Sequence, residues 1–157
     1  MTHRAYVGIG SNLGDPEANV RAGIDALEHV GTVERASSFY RTKPWGVRDQ
    51  PDYINAVVEL QTELEPRRLL EALKRLETDL GRVPSMRWGP RSIDFDILTF
   101  DDERIDEAGL RIPHPGMLRR AFVLVPLAEI DSSYEPARDK LDPAELANVS
   151  RPDRQVE

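Results

Sequence analysis

"GPRSIDFDILTF", residues 89–100, sets Asp94 and Asp96 inside a run that otherwise reads as a buried β-strand. Alternation along a strand turns Ile93, Phe95 and Ile97 to one side and Ser92, Asp94 and Asp96 to the other. The two carboxylates therefore share a face, with Cα atoms about 6.6–6.8 Å apart. A fold that accepts this strand must cover its apolar side and leave the aspartate side accessible.

The segments before it supply such a fold. Residues 5–10 alternate as a short strand, and Asp15-Pro16 offers an N-cap and a first-turn proline. The helix that follows has Val20, Ile24, Leu27 and Val30 as its stripe and Gly31 as its stop. Residues 33–42 read as a second strand, 43–51 as a loop, and 52–62 as a third strand. In the third strand Ile54, Ala56, Val58 and Leu60 face one way, and Tyr53, Asn55 and Glu59 the other. Pro66 opens a second helix with the stripe Leu69, Leu73, Leu76 and Leu80, ended by Gly81. The order β-α-β-β-α-β predicts an α+β, ferredoxin-like sandwich, with both helices on one face of an antiparallel sheet and the other face open. Tyr53, Asn55, Asp94 and Asp96 then lie together on the open face. Residues 102–130 read as an added hairpin and a short segment capping the sheet. Residues 131–157 read as a polar C-terminal extension, with one helical turn after Asp142-Pro143, and residues 1–157 as a single domain.

The 157 residues include no cysteine, which excludes disulfides, thiolate nucleophiles and cysteine-bound zinc. The apolar stretch Ala5–Ile9 is too short for a signal or membrane segment, so a cytoplasmic protein without membrane contact is expected. A net charge of -7, from 28 acidic and 21 basic residues, disfavours general nucleic-acid binding. Arg82, Arg87 and Arg91 nevertheless concentrate positive charge in an acid-free segment, with Arg119 and Arg120 further on. Such a segment suits a compact anion such as phosphate, or else forms a solvated charged loop.

Two carboxylates on one strand face can converge on a hard cation, and magnesium uses one or two of them and leaves its other positions to water and phosphates. The plain alternative is an ordinary solvent-facing side. The loop 82–91 delivers its arginines beside Asp94 and Asp96, as a magnesium-bridged phosphate requires, although a structural salt-bridge network uses the same residue types. Trp45, Tyr53, Trp88 and Phe122 are candidate stacking surfaces for a flat heterocycle; Phe122, taken alone, reads first as core. Asn55 shares a face with Tyr53 and can present an amide to a ring edge. Glu77 sits at the margin of a buried stripe and needs a partner, either a loop arginine or a ligand, or else caps that boundary. His114, between Pro113 and Pro115, is rigidly placed. "GIGSNLG", residues 8–14, lacks the third glycine of a dinucleotide fingerprint, and no phosphate-loop lysine motif is present.

"VGIGSNLGD", "SSFYRTKPWG", "DQPDYINAVVEL", "LEALKRLETDLGR", "RWGPRSIDFDIL" and "IPHPGM…AFVLVPLAEI" together resemble the 6-hydroxymethyl-7,8-dihydropterin pyrophosphokinase family. The resemblance runs from about residue 5 to 130, and R-W-G-P-R-x-x-D-x-D is its most specific part. It implies a ferredoxin-like fold and transfer of pyrophosphate from ATP to the pterin hydroxymethyl group in folate biosynthesis, with AMP released. Asp94 and Asp96 would hold two magnesium ions, and Arg82 and Arg91 would contact the polyphosphate. Tyr53 and Phe122 would sandwich the pterin, and Asn55 would read its edge together with Thr42, Lys43 and Trp45. Loops carrying Trp45, Arg82 and Trp88 would close over the substrates. Lys74, Glu77, Arg87, Trp88, Arg91, Ile97, Leu98, His114 and Arg120 fall where the family binds ATP. Pro84 stands where many members carry a basic residue, and Gly116 where a larger one is common. The expected partners are ATP and a pterin alcohol, with no nucleic acid and a monomeric chain. Two other readings compete with this one: a magnesium-dependent nucleotidyl or phosphodiester enzyme, and a non-catalytic small-molecule sensor on the same fold.

Overall fold

The computed structural model describes residues 1–43, 51–81 and 93–152. Its first strand, β1 (His3–Ser11), runs antiparallel to both β4 (Tyr53–Thr62) and β5 (Asp94–Phe100) and so forms the centre of the sheet. On the far edge of β4 lie β2 (Thr32–Ala36) and β3 (Tyr40–Thr42). The order β5-β1-β4-β2/β3 is the ferredoxin-like arrangement, with helices α1 (Pro16–Ala26) and α2 (Pro66–Leu80) in the two crossovers.

Local signals set the helix ends. The Asp15 side chain accepts from the Ala18 amide, and Pro16 occupies the first turn of α1. Pro66 does the same for α2, which ends at Gly81. Val20 and Leu27 of the first helical stripe, and Leu69 and Leu73 of the second, are fully buried against Val7, Ile9, Val58, Leu60, Phe95 and Phe100. Each such side chain contributes about 1.5–3 kcal/mol on burial. The α2 stripe tapers toward its end, where Leu76 is partly buried and Leu80 exposed.

Two expectations need correction. The strand predicted over 33–42 is two strands, because Ser37 interrupts the ladder. Its amide donates to the Val57 carbonyl, and its hydroxyl accepts from the Val57 amide, so a side chain takes over a backbone pairing. The second correction concerns the face opposite α1 and α2, which is only half open. Helix α3 (Ala121–Ile130), apolar on nearly all sides, packs Val123, Leu124 and Leu127 on Tyr6, Val57 and Leu98. The predicted capping segment is this helix, preceded by the hairpin of β6 (Ile105–Glu107) and β7 (Leu110–Ile112).

Helix α3 is held at its C-terminal end from several directions. Arg35 donates to the Ile130 carbonyl at 2.9 Å, and Glu129 accepts from Ser38 and from the Tyr40 hydroxyl, the latter at 2.7 Å. Burial first, then this hydrogen bond, pushes the Tyr40 phenol up to about 12. The Tyr6 hydroxyl donates to Asp131 at 2.8 Å. Beyond α3 come α4 (Glu135–Asp139), the single-turn α5 (Pro143–Leu146) expected after Asp142, and β8 (Val149–Ser150), which extends the sheet by pairing with β3.

Candidate functional site

The half of the sheet that α3 leaves uncovered forms a cleft of about 620 Å³. Its floor follows from strand register. On the cleft side, Asp94 of β5 pairs with Gly10 of β1, and Gly10 pairs in turn with Asn55 of β4; one step along, Asp96, Gly8 and Val57 form the parallel row. The two glycines put no side chain between the carboxylates and the amide, so the middle of the sheet is a flat shelf. Gly10 is needed for a tighter reason as well: a Cβ there would lie 2.8 Å from Asn55 Nδ2. The failed dinucleotide motif thus has a role as the cleft floor, which the sequence reading missed. Its legible signal was two glycines two residues apart on one strand face.

The walls come from separate elements. Thr42 and Lys43 close one side from the end of β3, Tyr53 stands at the start of β4, and Arg119, Arg120, Phe122 and Val123 approach from the entry to α3. Arg120 lies 5.7 Å over the Phe122 ring and packs against Gly116, where a Cβ would come within 2.9 Å of its Nε. The small residue at 116 therefore makes room for the arginine. Lys43, Arg119 and Arg120 line the same cleft as Asp94 and Asp96, so cationic donors for an anionic ligand share it with carboxylates that suit a cation.

Two buried polar atoms on this surface lack a protein partner among the described residues. Asn55 is 9 % exposed with Oδ1 unsatisfied, and Thr42 is 5 % exposed with Oγ1 unsatisfied. Native interiors seldom leave such groups unpaired.

The structure thus gathers Thr42, Lys43, Tyr53, Asn55, Asp94, Asp96, Leu98, Arg120 and Phe122 into one cleft. Trp45, Arg82, Pro84, Arg87, Trp88 and Arg91 lie outside the described residues. Four candidates do not line the cleft. Ile97 turns its side chain into the core under the helices, leaving only its main chain for a ligand. His114 donates its amide to the Leu98 carbonyl at 2.8 Å. Lys74 sits 3.7 Å from Glu77 on α2. Glu77 accepts at 2.8 Å from the amide of Phe95, the residue between the two aspartates, and so braces the strand that carries them. Glu145 also lines the cleft and was not foreseen.

The family model described as 7,8-dihydro-6-hydroxymethylpterin-pyrophosphokinase matches residues 6–132. The chain belongs to this family. It is similar to the 2-amino-4-hydroxy-6-hydroxymethyldihydropteridine pyrophosphokinase of Bacillus subtilis, 45% identical over 137 residues that cover 86% of this chain and 82% of the relative. The Methylorubrum extorquens protein of the same description is 44% identical over 158 residues, covering 93% of this chain and 98% of that one. Among solved structures, a Plasmodium falciparum HPPK-DHPS chain superposes with a TM-score of 0.72 at 14% identity, over 89% of this chain and 45% of that one. At that identity the likeness bears on the fold alone, and this chain spans under half of the P. falciparum chain. Family membership favours the pyrophosphokinase over the nucleotidyl-enzyme and sensor alternatives. No helix among the described residues is long and apolar enough to cross a membrane.

Proposed function

We propose that the cleft binds the pterin over the Gly8–Gly10 shelf with its ring between Tyr53 and Phe122, and that the ATP polyphosphate is brought to the β5 side of it. The protein is an ATP-dependent pyrophosphokinase of folate biosynthesis: it moves pyrophosphate from ATP to the hydroxymethyl group of 6-hydroxymethyl-7,8-dihydropterin. The observation that carries the placement is the register Asp94–Gly10–Asn55, which puts a carboxylate and an amide at the two ends of one flat surface.

In this reading Asn55, with its unsatisfied Oδ1, meets donors on the pterin edge, and the Thr42 hydroxyl adds a second polar contact. Tyr53 and Phe122 stack on the ring. Such stacking and edge contacts fix the hydroxymethyl group toward Asp96, and positioning of that kind supplies a large part of the rate in phosphoryl transfer. Arg120 neutralises phosphate charge from the α3 side, and Lys43 meets the pterin from the end of β3; Arg82 and Arg91 are the further phosphate contacts that the sequence implies. Glu77 acts through Phe95 to hold the spacing of the carboxylates.

The donor set fits magnesium: two carboxylates on one strand face, with room beside them for phosphate oxygens to fill the remaining positions. Asp94 and Asp96 would hold two such ions, whose chemistry is to offset phosphate charge and to make the alcohol more acidic. The proposal also takes residues 1–157 as one domain and the chain as a cytoplasmic monomer, the oligomeric state being open to gel filtration.

The test is to incubate the pure protein with magnesium, ATP and the pterin alcohol and to follow AMP and pterin pyrophosphate by chromatography. AMP appearing only when pterin is present is expected. AMP formed equally in the no-pterin control would overturn the assignment of acceptor.

A further inference from the structure

The C-terminal segment reaches both walls of the cleft. At the α3 wall, Glu145 Oε2 accepts from the amide of Ala121 at 3.0 Å. Ala121 opens α3, and its N-cap residue, Arg120, makes no side-chain capping bond. A carboxylate at that position both satisfies an orphan donor and faces the positive end of the helix. The next residue is Phe122. Glu145 itself is set by α5, whose cap Asp142 accepts from the Ala144 amide at 3.0 Å. At the opposite wall β8 pairs with β3, with Ser150 opposite Arg41 and Val149 opposite Thr42. Residues 142–150 therefore tie the Phe122 wall to the Thr42 wall.

We propose that Glu145 is a positioning residue: as a cap supplied from outside α3, it fixes the first turn of that helix so that Phe122 stands at stacking distance from the pterin. This rests on the pterin placement proposed above. A helix start without its cap frays, and the ring carried on the second residue loses its fixed orientation. Loss of the contact therefore acts first on pterin binding, and more weakly on ATP through Arg120, the N-cap residue that packs over Phe122. The amide of Glu145→Gln keeps an oxygen that accepts from Ala121, whereas Glu145→Ala keeps none.

The experiment compares these two variants with the parent protein in two ways. Steady-state kinetics gives KM for each substrate and kcat, and hydrogen exchange on the ligand-free protein reads the amides of residues 121–124. Glu145→Ala is expected to raise the pterin KM about fivefold, equivalent to about 1 kcal/mol. The ATP KM should stay within about twofold, and exchange at 121–124 should be faster. Glu145→Gln should return both readouts to near the parent values. Equal rises in the two KM values, an unchanged pterin KM, unchanged exchange, or a Gln variant as impaired as the Ala variant would each overturn the proposal. If the parent protein forms no pterin-dependent AMP, the functional reading fails by itself, and exchange together with calorimetric binding of the pterin alcohol still decides the role of Glu145.

Discussion

Gly10→Ala tests the shelf directly. The added methyl would stand 2.8 Å from Asn55 Nδ2 and 3.8 Å from the Ile54 carbonyl oxygen. Reaching an ordinary separation of 3.4 Å requires the Asn55 amide to move by about 0.6 Å. Only the tip of one side chain has to yield, and alanine restricts the unfolded chain by about 0.4–1 kcal/mol, so stability should be nearly unchanged. Recognition should not be. A displaced amide forfeits one or two hydrogen bonds to the ligand, about 1.5 kcal/mol in all, or roughly a tenfold weaker pterin interaction. Gly23→Ala is the control. Its methyl would overlap Ile93 Cδ1 and crowd the Phe95 ring in the helix-side core. Overpacking of that kind costs about 1–3 kcal/mol, against about 1 kcal/mol gained in helix propensity. The assay is pterin KM beside thermal melting. Gly10→Ala should lose affinity and keep its Tm, while Gly23→Ala should keep affinity and melt a few degrees lower. The reverse pattern would refute the assignment of Gly10 to a ligand surface.

Three further outcomes are expected. Asp96→Asn should reduce turnover by at least about a hundredfold with an unchanged melting curve, because Asp96 is exposed; turnover within threefold of the parent would remove it from the metal site. Glu77→Ala strips the acceptor from the Phe95 amide and should cost about 1–3 kcal/mol in urea unfolding together with a fall in kcat; full stability would show that the brace carries no weight. The third concerns His3, whose ring nitrogens contact Asp101 at 2.7 Å and Glu65 at 2.9 Å. Its pKa is raised above the ordinary 6.5, first by the Asp101 hydrogen bond and, against burial, by that from Glu65, while the Arg4 amide first and then His3 lower that of Asp101 below 3.8. A raised histidine pKa contributes stability that is fully present below 6.5 and lost as pH rises through the folded value; a lowered aspartate pKa contributes stability that is lost as pH falls below 3.8. Tm should therefore decline from pH 6.5 upward in the parent and less steeply in His3→Gln, and identical slopes would contradict the double contact.

The frame of the fold was legible because its signals are local. Alternation in 53–62 and 94–100, proline at the first turn of α1 and of α2, and the spacing of Leu69 and Leu73 each depend on neighbours a few residues away. The divided strand at Ser37 was not legible, since a single serine inside an otherwise strand-like run leaves the pattern intact, and only its pairing with Val57 shows a hydroxyl standing in for backbone. Helix α3 escaped as a helix for a different reason. "AFVLVPLAEI" has no polar side to give it a period, and Pro126 argues against a helix; burial on nearly all sides overrides both.

Residue type and strand phase sufficed to put residues of one strand on the cleft side, as with Asp94 and Asp96 or Tyr53 and Asn55. What phase alone does not give is which strands become neighbours. The glycines of β1 acquire meaning only when β1 is inserted between β4 and β5, since the shelf is a property of three strands in register and of no single one. Glu145 is the extreme case. Its contact with Ala121 spans 24 residues and joins a one-turn helix to the start of another, so neither periodicity nor a short motif records it. Glu77 lies between these limits: its helical position announced a carboxylate in need of a partner, and the partner proved to be the backbone of the aspartate strand. Long-range hydrogen bonds to backbone amides thus support both sides of the cleft, at Phe95 and at Ala121. Substitutions at Glu77 and Glu145 should therefore disturb different substrates, the first through the carboxylates and the second through the pterin wall.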